Sequence, residues 1–497
     1  MKLFSMTKEI EYIEPINGKV LYNMNWNEEV LKRKEDLLKD LTDLLKMEST
    51  KDSETRDEGK PMGHAIAKTL DFMLKLSSQQ GFRTKNHEGF YGYGEIGPQA
   101  SEEYVAVLTH LDVVPATGSW TSPPFEPTIR DGKLFARGVI DDKGPTMSVF
   151  YAIKLLKELE VPLKRKVRII FGTDEESGMS CLRKYREVES PPTAGFAPDA
   201  MFPIINAEKG QINVKCVLKK TSQESEFTTQ DFTLLSFNAG SRPNMVPETA
   251  TAVLTGKGTD LKGKFTNYIQ QNRVTGEFQE IGQEKWKLTV KGVSSHSMEP
   301  FKGVNAAVSL ARFLLTLSTN QPARKYCTFI NGLFWEDHFG EKLAIAHSDD
   351  ITGPLTVNPA IFQYNSESSS DCYVHINIRY PVTATFENIE TKLTDAIKIF
   401  DFSIGEIKNK NPHHVDKELP MIQALQEAYE GETNQKASLL SSGGNTYASL
   451  LPNCVAFGAV FPGKEMTAHQ KDEYIEVDDL LKATAIYARS IYNLANM

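Results

Sequence analysis

Two short apolar runs, Tyr104–Leu108 and Val167–Phe171, each lead straight into residues of the kind that bind cations. The first continues into Thr109-His110-Leu111-Asp112, the second into Gly172-Thr173-Asp174-Glu175-Glu176-Ser177-Gly178. Between them, Gly144-Pro145 begins a helical stretch that carries Ile153, Leu155 and Leu156 to about Leu159, since proline suits a first helical turn. Strands alternating with helices imply a mainly parallel sheet covered by helices. In such sheets the sites lie beyond the carboxyl ends of the strands. The pattern therefore predicts an α/β domain with polar residues of unusual density at one edge.

A chain of 497 residues exceeds what one hydrophobic core organises, so two domains are expected. Leu31, Leu38, Leu41 and Leu45 recur at helical spacing within Asn27–Met47, with Asn27 as the expected cap. A second helix is expected near His64–Leu76. The character changes after about Gly210. Trp286–Val290 and Asp371–Tyr380 alternate apolar and polar residues like strands with one wet face, and Val304–Leu317 is an amphipathic helix. The helical pattern returns at Leu419–Tyr429. An α+β domain inserted into the first domain accounts for this order. The expected divisions are 1–207, opening with an extension over 1–25, then the insertion 208–411, then 412–497.

The formal charge of −9 argues against nucleic acid or an anionic membrane as the main partner. The five cysteines (Cys181, Cys216, Cys327, Cys372 and Cys454) are odd in number and lack CxxC spacing, which fits free thiols in a reducing compartment. No segment approaches the roughly 18 apolar residues of a membrane span. A soluble cytoplasmic protein is expected.

His110 and Asp112 are two apart, and on extended backbone such residues face the same way, one as ligand and one as its orienter. Asp141-Asp142 precedes a helix, where an exposed carboxylate on a rigid loop could bridge two cations; Asp142 alone fits an acid favoured by the helix dipole. Glu175 and Glu176 follow an apolar strand. On non-helical backbone neighbours point to different sides, so one can ligate while the other moves a proton. Asp199, between Pro198 and Pro203, and His469 would by themselves pass for turn and loop residues. Taken as an ordered set, His110, Asp141, Glu176, Asp199 and His469 point to a two-metal site and to metal-assisted amide hydrolysis.

The wider motifs are HLDVVP (110–115), GVIDDKGP (138–145), GTDEESG (172–178), FAPDAMFP (196–203), NMVPE (244–248), KGVSSHS (291–297), NIRYP (377–381) and FPGKEMTAHQKDE (461–473). In this order they resemble the M20 metallopeptidase family, most closely its PepV-like, Xaa-His dipeptidase branch. The resemblance implies a two-domain α/β architecture with an α+β, ferredoxin-like lid. It implies that Asp141 bridges two metal ions, that His110 and Asp199 complete one site, and that Glu176 and His469 complete the other. Glu175 would be the general base and Asp112 the orienter of His110. From the lid, His296 would stabilise the oxyanion, and Asn244 and Arg379 would bind substrate. The branch carries three glycines in the substrate cleft; here the run is Gly443-Gly444-Asn445, so Gly443 and Gly444 are substrate-binding candidates and Asn445 alters the pocket.

Nitrogen and oxygen donors without thiolate suit zinc, with manganese or cobalt as alternatives. A lid that encloses the cleft favours short peptides, so the expected activity is hydrolysis of unblocked dipeptides. An N-acyl-amino-acid deacylase uses the same chemistry and is the alternative; a non-catalytic binding protein on this fold would have no use for Glu175. The long insertion could cover the cleft within one chain, which predicts a monomer.

Overall fold

The computed structural model describes residues 24–219, 230–272, 274–368 and 372–497. Nearly all of the expected extension over 1–25 lies outside them. The chain divides into two compact units, one of residues 1–204, 417–438 and 446–497, the other of 205–416 and 439–445.

The first unit is α/β. Its sheet runs in the spatial order Arg83–His87, Tyr91–Ile96, Lys166–Gly172, Tyr104–His110, Ala194–Ala197 and Cys454–Ala456. The last four strands are mutually parallel, with His110 opposite Gly172 and Ala456 opposite Ala197. The first two form an antiparallel hairpin at the edge. Tyr104–His110 is buried along its whole length, as a central strand covered on both faces must be.

The helix Lys143–Glu158 follows the Asp141 loop and packs on the central strands and on the C-terminal helix Val477–Asn496. Its start requires Gly144, because a Cβ there would stand 2.0 Å from the Val139 carbonyl oxygen. Gly172, at the end of its strand, leaves room for the Tyr447 ring, whose hydroxyl would lie 2.3 Å from a Cβ.

One long N-terminal helix was expected. The chain instead forms Trp26–Leu31 and Lys34–Leu45. The cap is Asn25, whose Oδ1 accepts the Glu28 N–H at 3.1 Å, and not Asn27, which sits in the first turn and donates to Glu432. The expected helix near His64–Leu76 spans His64–Gln79.

The second unit is α+β. Its eight-stranded sheet is antiparallel throughout, in the order Thr275–Gly282, Lys285–Lys291, Thr249–Gly256, Phe232–Ala239, Thr356–Asn365, Tyr373–Tyr380, Gly210–Leu218, Phe402–Lys410. Along Gly210–Leu218 alternate residues are buried, and Ile212, Val214 and Cys216 belong to a core shared with Ala306–Leu314, Gln321–Phe334 and Phe386–Lys398. The period-two pattern thus has one face under helices. All five cysteines are buried and unpaired by disulfide. Among the described residues, no helix is long and apolar enough to cross a membrane.

Candidate metal centre

His110 is the last residue of its strand, so its side chain leaves the carboxyl end of the sheet. Its Nδ1 lies 2.9 Å from the backbone oxygen of Asp112. A carbonyl only accepts, so the Nδ1 proton is fixed there and Nε2 faces the cluster. Nε2 stands 3.0 Å from Asp141 Oδ1 and 3.8 Å from Asp199 Oδ2. Asp141 turns its other oxygen to the second imidazole: Oδ2 is 3.0 Å from His469 Nε2. His469 Nε2 is also 2.9 Å from Glu176 Oε2. Each imidazole therefore has one acid of its own, and both share Asp141.

The loops that carry these groups are fixed by backbone contacts. The Asp112 carboxylate accepts the N–H of Glu175 at 3.0 Å and that of Glu176 at 3.1 Å. This holds both acids beside the cluster, Glu175 on the Asp199 flank and Glu176 on the Asp141 flank. Glu175 offers an oxygen within 4.8 Å of ligand atoms on His110 and Asp199, and Glu176 does so with His110 and Asp141. The His469 loop is pinched shut by Thr467, whose hydroxyl donates to the Tyr474 carbonyl and accepts its N–H, both at 3.1 Å. His469 itself has φ +64°, a left-handed conformation that histidine tolerates in a constrained loop.

Three further acids hold this frame. Asp142, expected to interact with the helix dipole, is wholly buried, and its Oδ2 accepts the backbone N–H of His110 at 3.1 Å. Asp174 is salt-bridged to Lys51 at 2.6 Å and accepts the Ser180 N–H at 3.0 Å, which fixes the turn bearing Glu175. Glu473 accepts the N–H groups of Gly138 at 3.0 Å and Ile140 at 2.9 Å, and Arg137 Nη1 at 2.6 Å. Burial pushes Glu473 up to about 7, but its partners here are all donors, so the ionised form is the one this pocket accommodates. In the sequence Asp174 carried no role of its own, and nothing local marked Glu473 beyond its nearness to His469.

The electrostatics call for cations. Burial, and next the charge of Asp141, hold the Asp199 and Glu176 carboxyls above the usual carboxylate range. Burial opposes a charged His469 ring, yet Asp141 and Glu176 outweigh it and push the imidazole up to about 11. Acids this crowded take up protons unless positive charge replaces them. Two imidazoles and three carboxylates, with no thiolate, form a donor set compatible with a dinuclear metal site, and Asp141 lies between the two imidazoles.

The remaining candidates lie in the second unit. The Met245 and His296 backbones form an antiparallel bridge, and the Ser297 N–H donates to the Asn244 carbonyl at 2.9 Å. Arg379, 4% exposed, donates to Asn377 Oδ1 at 3.0 Å and to the Gly443 carbonyl at 2.8 Å. Gly443 has no space for a side chain, since a Cβ would meet that of Met298 at 2.6 Å. Gly444 donates its N–H to Ser442 Oγ at 2.9 Å, and Asn445 Nδ2 donates to the Lys209 carbonyl at 3.0 Å. Asn244 and His296 thus sit at one backbone bridge, and Arg379 is hydrogen-bonded to Gly443.

The family model described as Peptidase family M20/M25/M40 matches residues 106–493. A Bacillus subtilis protein named "Putative dipeptidase YtjP" is 43% identical, over 95% of this chain and 100% of its own. "Putative dipeptidase SH1171" of Staphylococcus haemolyticus is 38% identical, over 94% of this chain and 99% of its own. Among solved structures, human carnosine dipeptidase 1 aligns with a TM-score of 0.55 at 12% identity, over 95% of this chain and 98% of that one. The aminoacylhistidine dipeptidase of Vibrio alginolyticus aligns at 0.55 and 13% identity, over 92% and 96%. At such identities these structures establish a common fold.

Proposed function

Because this chain belongs to peptidase family M20/M25/M40, a family of metal-dependent hydrolases, we propose that it is a dipeptidase cleaving short unblocked peptides. The observation that carries this reading is Asp141, whose two oxygens each face a different imidazole, with Glu175 in the same cluster. His110, Asp199 and Asp141 would hold one ion, and His469, Glu176 and Asp141 the other, zinc being the first choice for such donors. When bound, a pair of such ions supplies the Lewis acidity that amide hydrolysis needs at neutral pH.

Glu175 takes the proton of the attacking water and returns it to the leaving nitrogen. Asp112 holds the Glu175 backbone and, through its carbonyl, the tautomer of His110. To the second unit we assign the role of a lid. There His296 donates to the developing oxyanion, and a pre-placed donor of this kind is typically worth about 3 kcal/mol. Asn244, Arg379, Gly443 and Gly444 bind the substrate, and the planar guanidinium of Arg379 suits its carboxylate. The protein acts in the cytoplasm as a monomer, with a small peptide as its substrate.

Names of relatives support the dipeptide over other amides. The alternative, an N-acyl-amino-acid deacylase, needs the same ions and the same carboxylate anchor. Hydrolysis of a panel of free dipeptides is compared with that of N-acetylated amino acids by the metal-loaded protein. Cleavage of the dipeptides is expected; activity confined to the acetylated set would replace the dipeptidase reading with the deacylase.

A further inference from the structure

Glu473 takes no part in the proposed ligand set or proton transfer, yet it reaches the backbone on which the shared ligand sits. The segment after His469 and the segment before Asp141 start out as paired strands. Phe135, Leu134 and Lys133 lie opposite Tyr474, Ile475 and Glu476, and the Ala136 N–H donates to the Glu473 carbonyl at 3.2 Å. Beyond Ala136 the ladder ends, because the chain turns at Gly138 with φ +82°. From that point the side chain of Glu473 takes over. Its Oε2 accepts the Gly138 N–H and Arg137 Nη1, and its Oε1 accepts the N–H of Ile140 at 2.9 Å and of Asp141 at 3.3 Å. A carboxylate has about four lone-pair sites, and all are engaged.

We propose that Glu473 is a positioning residue that fixes the Asp141 loop against the His469 loop, so that Asp141 meets both imidazoles at once. Glu473 is 0% exposed and Arg137 is 2% exposed, so no solvent competes for these bonds. Neighbouring contacts reinforce the same junction: the Asp472 carboxylate accepts the Thr121 N–H at 2.8 Å and its hydroxyl at 3.0 Å. Ligand distances at a metal site tolerate only about 0.2 Å. A small shift of one loop past the other would therefore cost ion binding long before it cost the fold. The inference rests on the reading of Asp141 and His469 as ligands.

The test is Glu473→Gln, which keeps the shape but replaces one acceptor oxygen by a donor facing other donors. Zn2+ affinity of the ion-free chain is measured by competition with a chelator, alongside its circular dichroism and dipeptide kinetics. The expected result is a folded ion-free chain with Zn2+ affinity lowered about 10- to 100-fold, as for other residues that orient ligands. In this result kcat falls and KM holds. If that variant does not fold, Glu473→Asp carries the test; it keeps the charge but falls one methylene short, and a smaller loss in the same direction is expected. Wild-type Zn2+ affinity in a folded variant, or a loss confined to thermal stability, would overturn the inference alone. A wild-type chain that binds no Zn2+ would instead overturn the ligand reading on which it rests.

Discussion

The carboxylate of Asp112 holds the backbone N–H of Glu175 at 3.0 Å, so the acid assigned the proton transfer is placed by the residue next but one to a candidate ligand. Both oxygens of Asp112 are occupied, the second by the Glu176 N–H at 3.1 Å. Asp112→Asn leaves one acceptor for two part-buried donors. An orphaned buried donor costs about 1–3 kcal/mol. Thermal denaturation of the metal-loaded variant is expected to show a loss of that size, with kcat reduced by a larger factor than KM is raised. Wild-type kcat in this variant would remove Asp112 from the account.

Glu175→Gln keeps the size of the side chain and removes the base. Positioned acid–base groups contribute about 10²- to 10⁴-fold, and a loss of kcat in that range is expected. Because Glu175 lies outside the five assigned ligands, ion content measured by elemental analysis is expected to match wild type. Turnover that survives in the ion-loaded variant would refute the proposed proton transfer.

Ion binding is expected to strengthen as pH rises. Without ions, Asp199 and Glu176 keep their protons to higher pH than ordinary carboxyls, from burial and the nearby Asp141 charge. His469 stays charged to about 11. An ion binds only the deprotonated forms of all three, so binding at neutral pH releases protons and weakens as pH falls. Calorimetric titration with Zn2+ in buffers of different ionisation enthalpy measures that release directly. A binding heat independent of the buffer would contradict it.

Arg379 is buried against Asn377 and the Gly443 carbonyl, and burial pulls its guanidinium down to about 10. No carboxylate is among these bonds. If a substrate carboxylate pairs with it, Arg379→Lys loses the two-pronged geometry, and kcat/KM for free dipeptides falls about 10-fold or more. C-terminally amidated dipeptides are expected to be poor substrates of the wild type and to lose little in the variant. Equal losses for both would assign Arg379 a purely structural part.

How much of this was legible in the sequence depends on how local each signal is. The strands ending at His110 and Gly172 were readable because a central parallel strand is mostly apolar, and the run of polar residues after its carboxyl end stands out. The grouping of Asp199 and His469 with them came only from the order of motifs, since each alone reads as a loop residue. Asp142, Asp174 and Glu473 were not read as parts of the frame. Asp142 and Glu473 accept backbone N–H groups of other segments, and Asp174 pairs with Lys51 from a distant loop; an acid held in this way looks, in sequence, like one that faces water. The break at Lys32–Arg33 between the first two helices left no mark either, because the leucine spacing continues across it.

The most direct measurement is a titration of the chelator-treated wild-type chain with Zn2+ while dipeptide hydrolysis is followed. No hydrolysis is expected without ions, with activity returning as two equivalents bind per chain. Full activity in the ion-free chain, or activity complete at one equivalent with no second binding event, would contradict a site in which Asp141 is shared by two ions.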